Sequence, residues 1–170
     1  MANDKDPFTQ VHEALWSMIE NWDALAEMVK VGNRVKMTGT ARDPLKEQVS
    51  TDDVPELRIV PVNGSMGLDV TNEEYGIKQD WEIQVSTGDQ RVDAMLFPIQ
   101  WEIMRALATW PDVLNALKWN NKEFILNMEV SRVSAGVSDR DLNRGIKGWS
   151  LLLTCSVSMY FAADDMSTEV

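Results

Sequence analysis

Apolar residues recur every third or fourth position near the start of the chain, at Phe8, Val11, Leu15, Met18, Ile19, Trp22, Leu25, Ala26 and Val29. That spacing predicts an amphipathic helix of about six turns. Asp6 and Pro7 supply an N-cap and a proline at the first helical position, and Gly32 is placed to end the helix. The period then falls to two. From 75 to 86, Tyr75, Ile77, Trp81, Ile83 and Val85 alternate with Lys78, Asp80, Glu82, Gln84 and Ser86. Such alternation predicts a strand with one buried and one wet face. Two later runs behave alike. Over 123–133, Phe124, Leu126, Met128 and Val130 alternate with Glu123, Asn127, Glu129 and Ser131. Over 148–161, Trp149, Leu151, Leu153, Cys155, Val157, Met159 and Phe161 alternate with Ser150, Thr154, Ser156 and Ser158. With the polar stretch 134–147 between them, they form a long closing hairpin.

The remaining segments are less regular. Residues 34–37 suit a short strand, and 38–54 read as a long polar loop or arm. Residues 56–62 predict a strand in which Pro61 marks an edge or an end. Asn63, Gly64, Gly67 and Asn72 then mark a hairpin turn or an irregular loop. A second helix is expected over about 90–109, with Val92, Leu96, Ile99, Ile103 and Leu107 as its stripe. Pro98 either kinks that helix or restarts it, because proline lacks the N–H a helix interior needs. Trp110-Pro111 ends it, and a short helix fits 112–118. The order of elements is that of an α+β fold with a mainly antiparallel sheet. Residues 1–170 read as a single domain with polar tails at 1–6 and 162–170.

Charge narrows the function. Lys and Arg total 16 against 27 Asp and Glu, a net charge of −11. Such a surface repels duplex DNA and anionic membranes, which argues against groove reading. The same charge suits a wall past which DNA must slide without sticking. The N-terminus is polar and no apolar run has membrane-spanning length, so the chain reads as cytosolic or as part of a particle assembled there.

Candidate chemistry is sparse. His12 is the sole histidine, beside Glu13 on the first helix, with no local nucleophile motif, and reads as a surface residue. Cys155 lies between Leu153 and Val157 on an apolar strand face and reads as core. The run Asp139-Arg140-Asp141 resembles the opening of a calcium loop. Arg144 and Ser150 then stand where glycine and glutamate are required. No phosphate-cradling glycine motif occurs, and a non-enzymatic chain without cofactor or metal is expected. Seven tryptophans exceed what this core needs. Trp16 lies off its helix's main stripe, and Trp101 and Trp119 sit among polar neighbours, so these three are interface candidates. Arg132, Arg140, Arg144 and Lys147 cluster around the last hairpin of an acidic chain and are candidates for meeting an acidic neighbour.

Three pieces carry a family resemblance: PFTQVHEALWSMI (7–19), YGIKQDWEIQVSTGDQRVDAMLFPIQWEIMRALA (75–108) and GIKGWSLLLTCSV (145–157). In their order and polarity they resemble the phage tail terminator and tail-completion proteins. Pro98 and the 38–54 segment depart from the pattern. The resemblance implies a sheet with helices packed on one face and a homohexameric ring. Such a ring caps the tail tube, meets the head-side connector, and leaves a passage for DNA as cargo without sequence-specific binding. It would belong to the tail or neck of a virion assembled in the host cytoplasm. Another neck, connector or tail-tube subunit is the near alternative. A small-ligand-binding or hydrolytic α/β module lacking a recognisable motif is the alternative from another class.

Overall fold

A computed structural model describes residues 5–30, 33–36, 55–69, 74–88, 92–136 and 148–166. The chain begins with α1 (Pro7–Glu20), capped by Asp6, whose carboxylate accepts from the Thr9 backbone N–H at 3.0 Å and from the Thr9 hydroxyl at 2.7 Å. The hydroxyl bond first, then the backbone bond, holds the Asp6 carboxyl below its ordinary pKa. The single long helix expected to Val29 is in fact two. α1 stops at Glu20, Trp22 is extended (φ −86°, ψ 106°), and α2 runs Asp23–Met28. At the break the Asn21 side chain donates to Ser17 Oγ at 3.0 Å. The turn frees Trp22 to reach across the helical layer, where its indole N–H donates to Glu102 Oε2 at 2.8 Å and Arg105 lies 5.5 Å over its ring.

The sheet has five strands in the order β1-β2-β3-β7-β6: β1 (Arg34–Lys36), β2 (Glu56–Asp69), β3 (Glu74–Ser86), β6 (Ile125–Gly136) and β7 (Ser150–Ala162). β1 runs parallel to β2, and every other pairing is antiparallel. The fold is therefore α+β, with a mainly antiparallel sheet, helices against one face, and a long β6–β7 closing hairpin. Directly opposed residues share a face, so the register defines transverse rows. Ile59, Ile83 and Leu153 form one row toward the helices, and Trp81 and Cys155 another. All five are buried, in one cluster with Val11, Leu15, Ile19, Leu25, Ile99 and Ile103 of the helices. The opposite face carries Asp80, Glu82, Gln84, Thr154 and Ser156, with the Ser156 hydroxyl donating to Asp80 Oδ1 at 2.6 Å. At one end of that face Glu56 and Arg58, 5% and 3% exposed, form a buried ion pair. Losing one member would leave an uncompensated charge.

Two strand expectations and one for the C-terminal tail change. Pro61 marks an edge and not an end: among the described residues β1 accompanies β2 only to Ile59, while β2 continues to Asp69, so Asn63-Gly64 is no hairpin turn. From Pro61 to Gly64 is three steps, whereas the partners Trp81 and Gln79 are two apart, so one residue is extra. Gln79 Nε2 pins this bulge by donating to the Asn63 carbonyl at 2.9 Å, and a Cβ on Gly64 would lie 2.6 Å from Gln79 Oε1. In β6 the expected face of Phe124, Leu126, Met128 and Val130 is broken. Phe124 and Met128 are buried, but Leu126 is 63% exposed and Val130 37%. The register slips between Ile125 and Asn127 and again between Val130 and Arg132, so Leu126 is an extra residue. Val130 keeps the register of Cys155, but on the outermost strand. Finally, the start of the 162–170 tail forms a short α5 (Ala163–Met166). The expected arm at 38–54 lies outside the described residues.

Candidate assembly surface

The second expected helix is continuous across Pro98 but changes its winding there. A π-helical turn (Val92–Leu96) leads into α3 (Phe97–Leu107), with Pro98 in its first turn, where a missing N–H costs least. The proline thus stands where π winding gives way to α winding within one continuous helical run. Leu96, Ile99, Ile103, Ala106 and Leu107 are buried against the core. On the other side Phe97, Trp101 and Met104 are 56%, 62% and 41% exposed, and Ala108 follows, also exposed. A helix apolar on both sides is what a helix covered on both sides requires. Between the two stripes Glu102 is largely buried and receives Trp22 and, at 3.1 Å, Arg105. The Trp22 indole bond, then Arg105, holds its carboxyl below the ordinary value against the opposing effect of burial.

Of the sequence candidates, Trp101 stands in this stripe. Trp16 does not reach the surface: at 5% exposure it belongs to the core, because α1 is packed by both α3 and α4 (Trp110–Leu114), and its buried face is wider than one stripe. That expectation is corrected. The helix expected over 112–118 forms earlier and shorter, as α4: Trp110 and Pro111 open it, it stops at Leu114, and Lys118 already belongs to a strand. Trp119 is half-buried against the core at the start of a tight hairpin, β4 (Lys118–Trp119) and β5 (Lys122–Glu123). Its turn residues Asn120 and Asn121 have φ of 50° and 61°, the left-handed pair of a type I′ turn. Trp119, Phe124, Tyr160 and Phe161 line a shallow hollow there, with the Phe124 and Phe161 rings stacked 5.5 Å apart. Arg132 pairs with Thr154 just past the second bulge of β6. Arg140, Arg144 and Lys147 lie outside the described residues. Among the described tryptophan candidates, Trp101 alone stands exposed. Phe97 and Met104 were missed. Their signal was the spacing of four and three around Trp101, hidden by the stronger stripe on the other side of α3.

His12, expected at the surface, is half-buried on α1. Cys155 is buried in the sheet, and burial pushes its thiol up to about 12, so it is inert near neutrality. Among the described residues no three His, Cys, Asp or Glu side chains form a group able to hold a metal ion. Among them, too, no helix is long and apolar enough to cross a membrane. Compared with family models and with curated proteins, the chain matches none.

Proposed function

We propose that this chain is a non-enzymatic structural subunit that assembles with copies of itself, as a ring of the tail-terminator kind. Such a ring, six subunits by that resemblance, would cap a tail tube below the head-side connector and leave a passage for DNA. The observation that carries the assembly reading is α3, whose outward face sets Phe97, Trp101 and Met104 side by side in water. Aromatic residues and Met are favoured at the centres of protein interfaces. The net charge of −11 suits a passage wall, since like charge keeps DNA from adhering. The terminator label rests on the order and polarity of the elements.

Native mass measurement with negative-stain imaging tests this reading. Closed short rings are expected, and a monomer at every concentration would overturn it. Long tubes would assign the chain to the tube instead. Closing a ring needs two unlike patches per subunit. Reversing charge with Arg140→Glu and Arg144→Glu is expected to lower the assembled fraction if the hairpin supplies one of them, and an unchanged light-scattering mass would remove those residues from the contact.

A further inference from the structure

We propose that α3 pairs with α3 of a second copy, antiparallel, through Phe97, Trp101, Met104 and Ala108. Their spacing of four, three and four is that of a seam between two helices, which selects a helix rather than a strand or loop as the occupant. Size then selects the copy. In an antiparallel pair Phe97 of one chain faces Ala108 of the other, and Trp101 faces Met104. Both matches occur twice by the two-fold axis, bulky against small and rigid ring against flexible thioether. Electrostatics permit it. Although the chain is strongly acidic, residues 97–109 carry one acid and one base, Glu102 and Arg105, already joined at 3.1 Å. Two such neutral segments approach without the repulsion the rest of the surface would impose, and antiparallel helices also set opposite dipole ends together.

The area sets the strength. A fully covered aromatic side chain buries roughly 150–250 Å². The partly exposed Phe97, Trp101 and Met104 therefore contribute on the order of 300 Å² per copy, below the ~800 Å² per partner of a standard interface. The contact is accordingly weak and reversible. It joins like to like, whereas ring closure needs unlike patches, so it takes up the α3 stripe that supports self-assembly and leaves ring closure to other surfaces.

Phe97→Cys and Ala108→Cys, made as separate full-length proteins, test the geometry against a silent background, because native Cys155 is buried. Under mild oxidation their mixture is expected to give a mixed disulfide dimer, and each protein alone little. Adding Trp101→Glu to both is expected to cut the mixed product at least tenfold. Because Trp101 is exposed, that change is expected to leave the melting temperature unchanged, which separates lost contact from lost fold. Homodimers from either protein alone would indicate parallel pairing and overturn the proposal, as would a mixture that yields no mixed dimer. Arg140→Glu with Arg144→Glu is expected to leave the mixed disulfide intact, so failure of the ring and failure of this contact are read separately.

Discussion

β3 and β7 meet along all 13 residues of each strand, from Glu74 opposite Ala162 to Ser86 opposite Ser150, with no slip in register. Their outer neighbours slip three times, once in β2 and twice in β6. Position in the sheet accounts for the difference. β3 and β7 are hydrogen-bonded on both sides, and an extra residue would break two ladders at once. β6 is outermost among the described strands, and β1 accompanies β2 only from Leu57 to Ile59, short of the bulge after Pro61. Extra residues are carried where one side of the strand has no ladder to break. The two inner strands hold the hydrophobic period, and the outer two adjust shape.

The largest expected effect is at the centre. Trp81, 1% exposed, fills the middle of the core face, and Trp81→Ala should destabilise by about 3–5 kcal/mol in urea unfolding. On β6 the bulge should separate two apolar neighbours: Met128→Ala is expected to cost about 2 kcal/mol and Leu126→Ala under about 0.5 kcal/mol. Equal losses would mean that the strand keeps an unbroken period. At the β2 bulge, Gly64→Ala pushes Gln79 aside and should cost about 1 kcal/mol, the worth of a typical hydrogen bond. Added to Gln79→Ala, the same change should be nearly silent in thermal melts. Smallest is the turn before β5, where Asn121→Gly relieves a positive φ and should stabilise by ~0.5 kcal/mol.

The same contrast governs what a reader of the sequence can see. β3 and β7 were legible to within two residues because their pattern has a single cause, one face buried at every second position. In β6 the pattern of Phe124, Leu126, Met128 and Val130 is equally regular on paper, yet nothing local announces that Leu126 is extra. The break between α1 and α2 is hidden for a related reason. Apolar residues on both sides of Asn21 keep the helical period, and the bond that holds Trp22 outward comes from Glu102, 80 residues away in the chain. At Pro61 the alternatives of edge or end, and at Asn63-Gly64 those of turn or irregular loop, stay open in the sequence because turn chemistry and bulge chemistry use the same residues. At the candidate surface, Trp101 was visible as tryptophan among polar residues. Trp16 looked similar but is enclosed by α3 and α4, and only the packing of three helices decides between them.

The sheet order also bears on how the protein comes off the ribosome. β7 is the last of the five strands to be synthesised, yet it stands between β3 and β6. Until Ser150 and the residues after it emerge, the inward side of β3 and the whole of β6 wait without the partner they share. Loop closure over that distance makes final zipping slow compared with formation of α1 or α3. A nascent chain halted before β7 presents two unsatisfied strand edges, Trp81 and Ile83 among their residues, to every neighbouring copy. Emergence of β7 is thus the event that closes both edges at once.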